Sequence, residues 1–202
     1  MNETTPLLWL LNRSTGLSLT LALSASVALG VLTLRGHAGG DGGARLPRFV
    51  TRSLHRNVAI GALALLVAHV VTAVADTYVD IRWWQAVVPW GGTYEPLWLG
   101  LGALALDLLV AVAVTTALRG RLGYRGWRLV HLSSWLAWVA AVAHGVMIGT
   151  DLGAPPRWVS WAAAPTLAGI ALVASSLAYR VLARPRRSTT APRPLDALAG
   201  GR

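Results

Sequence analysis

Residues 52–75, RSLHRNVAIGALALLVAHVVTAVA, carry His55 and His69 fourteen residues apart, and from Val58 onward the run is apolar. Residues 125–149, RGWRLVHLSSWLAWVAAVAHGVMIG, carry His131 and His144 thirteen residues apart. A helix rises about 1.5 Å per residue, so each stretch is long enough to cross about 30 Å of hydrocarbon. The other hydrophobic stretches contain no histidine, and the fifth histidine, His37, lies in a polar loop.

Of the 202 residues, 54% are hydrophobic and only 13% are charged. Soluble domains average about 25% charged residues, so this is an integral membrane protein. Five membrane-length spans are expected, over residues 14–34, 58–75, 96–118, 129–150 and 158–179. Only helices or a closed barrel satisfy the backbone in lipid, and these runs lack the alternation of a barrel. The expected fold is therefore all-α, a bundle of five transmembrane helices. The first span is too long for a signal-peptide core and is read as a retained helix. Residues 1–13 form a short leading segment, 14–183 the membrane domain and 184–202 a disordered tail.

Orientation follows from arginine, the only cation-bearing residue type among the 18 Lys+Arg. Arg35, Arg45, Arg48, Arg52 and Arg56 fall in the first loop; Arg119, Arg121, Arg125 and Arg128 in the third; six more in the tail. The second loop has Arg82 beside Asp76, Asp80 and Glu95, and the fourth has Arg157 and Asp151. The positive-inside rule then puts the N-terminus outside and the C-terminus in the cytoplasm, as in a bacterial inner membrane. Most tryptophans gather at the outer boundary, Trp127 marks the inner one, and the aromatic second loop is expected to lie on the membrane as a lid. A net charge of +10 distributed over span ends reads as this asymmetry and excludes nucleic-acid binding.

The second and fourth spans run in the same direction. His55 and His131 therefore share the inner depth, and His69 and His144 the outer one. Two bis-histidine haems, with irons about 20 Å apart along the membrane normal, fit this pattern. Cysteine is absent, which excludes thiolate zinc sites, iron–sulfur clusters and c-type haem. At about 100° per residue, a 14-residue step returns to within about 40° of the same helix face, but a 13-residue step misses by about 140°. Either the fourth span is distorted, or its two histidines are reached from different sides. The alternative for each histidine is a plain interhelical hydrogen bond.

Arg52 and Arg128 each precede an inner histidine by three residues and share its helix face, where a guanidinium can meet a haem propionate. The positive-inside rule alone also places them there. Asp107, the one ionisable residue in the third span, is read either as a proton or quinone group or as a hydrogen bond between helices. Trp138 lies between the two histidine depths, where packing is the expected role and electron relay the alternative. No G-x-G-x-x-G, P-loop or HExxH motif occurs, and there is no room for a flavin or nicotinamide domain.

The histidine spacings resemble those of the ferric reductase-like transmembrane domain family. That family includes the membrane part of ferric reductases and NADPH oxidases and the haem-binding subunit of the periplasmic methionine sulfoxide reductase system. The stretches Arg13-Ser14-Thr15-Gly16, Pro47-Arg48-Phe49-Val50, Leu54-His55-Arg56-Asn57, Val88-Pro89 with Tyr94, Pro96 and Trp98, and Gly123-Tyr124-Arg125 are similar to bacterial members. The resemblance covers about residues 10–182. It implies two b-type haems on His55, His69, His131 and His144, passing electrons across the membrane. Five helices rather than six, and no fused flavin domain, imply a separate flavin reductase or quinol as donor. The outer acceptor would be ferric chelate, oxygen or a partner reductase. Two rival readings are a non-enzymatic haem-bearing assembly or sensor subunit, and a haem-free metal or proton transporter.

Overall fold

The structure, a computed structural model, describes residues 5–33, 47–76, 79, 81–148 and 163–182. These form helices α1 (Thr5–Thr33), α2 (Arg48–Ala75), α3 (Trp83–Val87), α4 (Pro96–Ala117), α5 (Arg119–Leu132), α6 (Ser134–Ile148) and α7 (Ala163–Leu182), with no strand among the described residues. Five segments are long and apolar enough to cross a membrane: Leu7–Thr33, Phe49–Ala75, Pro96–Ala117, Arg119–Ile148 and Ala163–Leu182. The protein is an all-α membrane bundle of five crossings, as its sequence implies.

The helices start earlier than the apolar runs. α1 begins at Thr5 rather than near Ser14, and α2 at Arg48 rather than near Val58. Hydropathy marks the hydrocarbon, whereas backbone hydrogen bonding continues into the interface. His55 consequently sits within a continuous helix and not at its frayed end. His37, residues 149–162 with Trp158 and Trp161, and the expected disordered tail lie outside the described residues.

α1 packs on α2, α6 and α7, while α4 packs on α3, α5 and α6. α7 meets α1 through Ala163, Thr166, Gly169, Val173 and Ser176, a buried stripe of mostly small residues that allows close approach. Its tightest point is Gly169, where a Cβ would stand 2.6 Å from the Ser24 hydroxyl oxygen. Ile60, Val67 and Val71 on α2, Val110 and Val114 on α4, and Leu136 and Val139 on α6 are exposed, as lipid-facing side chains must be.

The core is a layer of Leu19, Leu23, Ala62, Leu66, Leu109 and Ala137. Ala62 lies midway between His55 and His69, and Ala137 lies between His131 and His144. These alanines are 2% and 0% exposed, so the bundle is closely packed between the two histidine levels. Trp138 packs against this layer and donates its indole N–H to the fully buried Ser24 hydroxyl at 2.9 Å. The described part of the second loop folds onto the start of α4. Trp90 takes a left-handed backbone (φ 61°) and packs so tightly over Gly100 that a Cβ there would stand 2.6 Å from its ring.

Candidate functional site

α2 and the α5–α6 crossing carry the four histidines, yet α2 does not pack closely along α6 among the described residues. The imidazoles reach across instead. His55 faces His131 with ring centres 6.1 Å apart and planes at 71°; His69 faces His144 at 6.4 Å and 84°. The same-depth pairing read from the sequence is the pairing in space. Among the described residues, no three of His, Cys, Asp or Glu gather as a metal site, so these side chains meet in twos.

The thirteen-residue spacing is accommodated by a break. Ser133 separates α5 from α6, and its N–H bonds to the Val130 carbonyl at 3.0 Å, a three-residue turn in place of a four-residue one. Its hydroxyl also donates to that carbonyl at 2.7 Å. Such a turn advances about 120° per residue instead of about 100°, which removes part of the angular mismatch. The crossing is thus distorted between its two histidines.

Three of the four histidines are seated in one repeated manner. His55 donates Nδ1–H to the Ser26 carbonyl at 2.9 Å, His69 to the Asn12 carbonyl at 3.0 Å, and His144 to the Trp98 carbonyl at 2.9 Å. Four residues beyond each accepting carbonyl stands a glycine against the same ring: Gly30, Gly16 and Gly102. A helix carbonyl already bonds the N–H four residues on, so a side chain there would crowd a second donor, closely at residues 102 and 16 and hardly at residue 30. Glycine leaves room for the imidazole. The N–H···O=C bond fixes the tautomer with Nε2 unprotonated, the form that binds a metal. Asn12 reinforces its seat by donating its amide to the His69 carbonyl at 2.9 Å and to the Thr72 hydroxyl at 3.2 Å.

Sequence reasoning missed these seats. The signal was present on α1, where Asn12 and Ser26, and likewise Gly16 and Gly30, are fourteen residues apart, like His55 and His69. His131 differs: its buried Nδ1 has no hydrogen-bond partner among the described residues, and Trp127 stacks on its ring at 5.0 Å and 26°. Arg52 and Arg128 are exposed beside the His55–His131 level. Asp107 is exposed on the outer face of α4 and bonds to no described residue.

The arrangement fits a metal held between each pair. A metal lies about 2.0–2.1 Å from an imidazole nitrogen, itself about 1.1 Å from the ring centre, so two rings sharing one metal have centres about 6.3 Å apart. The observed 6.1 and 6.4 Å bracket that value. Fold and site together define a helical membrane protein with two pairs of facing histidines at two depths. The ferric reductase like transmembrane component family matches residues 15–144, a range that spans all four histidines and ends on His144. The chain belongs to that family, whose domains serve membrane electron transfer and generally bind haem. No curated protein and no solved structure matches the chain.

Proposed function

We propose that this protein is a di-haem b-type electron-transfer subunit that carries electrons from a cytoplasmic flavoprotein or quinol to an outer acceptor. The observation that carries this reading is the pair of facing imidazole couples, spaced for one metal each. His55 and His131 would hold the inner haem, and His69 and His144 the outer one. Bound haem supplies reversible one-electron chemistry at iron.

The chain's own residues hold and insulate that chemistry. The Ser26, Asn12 and Trp98 carbonyls keep three imidazoles aimed. The layer of Leu19, Leu23, Ala62, Leu66, Leu109 and Ala137 keeps water and ions out between the levels. Arg52 and Arg128, exposed one helical turn from the inner ligands, are placed to meet propionates. The arginine-rich first and third loops support an outside N-terminus and a cytoplasmic C-terminus in a bacterial inner membrane. Asp107, facing outward from α4, is not needed for these steps.

The test is vectorial. In proteoliposomes enclosing ferricyanide, a membrane-impermeant reductant is added outside. Haem-loaded protein is expected to reduce the enclosed ferricyanide, one electron for each ferricyanide consumed. Haem content without transfer would favour the assembly or sensor reading.

A further inference from the structure

His55, His69 and His144 are each aimed by a backbone carbonyl of another helix. His131 is not: its Nδ1 is buried without a hydrogen-bond partner among the described residues. Its helical segment, residues 124–132, is short and interrupted at both ends, by the non-helical Gly123 and by the turn at Ser133. An imidazole without a hydrogen bond has two open torsions, and a metal ligand must be held in one combination of them. Trp127 supplies the constraint. It stands four residues before His131, so the two side chains share a helix face and the histidine leans back over the tryptophan. The ring centres are 5.0 Å apart and the planes meet at 26°, an offset stack that resists rotation of the imidazole. Trp127 is itself tied to a second helix, its indole N–H donating to the Thr116 hydroxyl on α4 at 3.2 Å. Among the described residues, no other side chain of 124–132 hydrogen-bonds to another helix. Thr116 thus holds Trp127 against α4, Trp127 holds the His131 ring, and that ring faces His55 at 6.1 Å.

We infer that Trp127 is the positioning residue for His131 at the inner level, doing by stacking what a backbone carbonyl does for the other three imidazoles, with Thr116 as its anchor on α4. This inference rests on the reading of the four histidines as haem ligands. Outer partners that orient a ligating histidine are typically worth about 10–100-fold in metal affinity, which sets the scale of the effect.

The test follows the two haems separately in the purified full-length protein, by their low-spin electron paramagnetic resonance signals and by transfer of haem to excess apomyoglobin. His131→Ala and His69→Ala mark which signal is inner and which outer. Trp127→Leu removes both stack and anchor, and should weaken the hold on the inner haem by about 10–100-fold. Retention of the outer haem serves as the folding control. Trp127→Phe keeps an aromatic face without the N–H, and Thr116→Val removes the acceptor at nearly the same shape. Both should disturb only the inner signal, and less than Trp127→Leu does; they decide the question alone if Trp127→Leu does not fold. An inner signal unchanged in Trp127→Phe and Thr116→Val, or inner and outer signals changed alike, overturns the positioning role while leaving the di-haem reading intact. Unmutated protein that takes up no haem overturns the di-haem reading itself.

Discussion

Three glycines do different amounts of work behind three imidazoles, and their distances rank them. A Cβ at residue 102 would stand 2.6 Å from His144 Nδ1, one at residue 16 would stand 3.0 Å from His69 Cε1, and one at residue 30 would stand 3.5 Å from His55 Cε1. Gly102→Ala is therefore expected to displace the His144 ring and cost about 1–3 kcal/mol, as overpacking does. Gly16→Ala should be milder and Gly30→Ala near neutral. The check is the haem-to-protein ratio and thermal midpoint of each variant, with Gly61→Ala, which meets nothing within 4 Å, as control. A flat series would mean that the glycines do not seat the rings. Ser24→Ala tests a different contact: it strips the Trp138 N–H of its acceptor inside the core, at a cost of about 1–3 kcal/mol. It should lower the thermal midpoint and leave haem content unchanged. The four histidines were legible in the sequence because ionisable residues are rare in such spans. Their seats were not, because every residue has a backbone carbonyl, and the fourteen-residue spacing of Gly16 and Gly30 gains its meaning only once α1 lies against α2.

At the scale of the element, the third loop and fourth crossing show why ideal-helix arithmetic fell short. The break at Ser133 is a local hydrogen-bond choice, and nothing in the apolar pattern of residues 129–150 announces it. Gly123 is a second interruption, at φ 69° and ψ 160°, a backbone region open essentially to glycine alone. It separates the short Arg119–Leu122 segment from the helix that carries Trp127 and His131. Gly123→Ala should cost about 1–3 kcal/mol through backbone strain, since no side chain crowds the site. A thermal midpoint equal to that of the unmutated protein would show that this turn tolerates another conformation. Element type and number were legible because long apolar runs have one solution in lipid. The extensions of α1 and α2 beyond those runs were not, because helical structure outlasts hydrophobicity at the interface.

At the scale of the whole molecule, an apolar waist separates the two imidazole pairs, and the proposed electron path between them would take its direction from arginine asymmetry. The chain has no cysteine, so single cysteines report sidedness without background. Trp83→Cys in the second loop and Arg121→Cys in the third are both at exposed positions. In intact cells a membrane-impermeant maleimide should label the first, and the second only after permeabilisation. The reverse pattern would invert the assignment of inner and outer stations. Haem on the four histidines is tested by the purified protein's reduced-minus-oxidised spectrum, with haem quantified against protein. Low-spin b-type haem at about two per chain is expected. A colourless protein, expressed with ample haem, would contradict it.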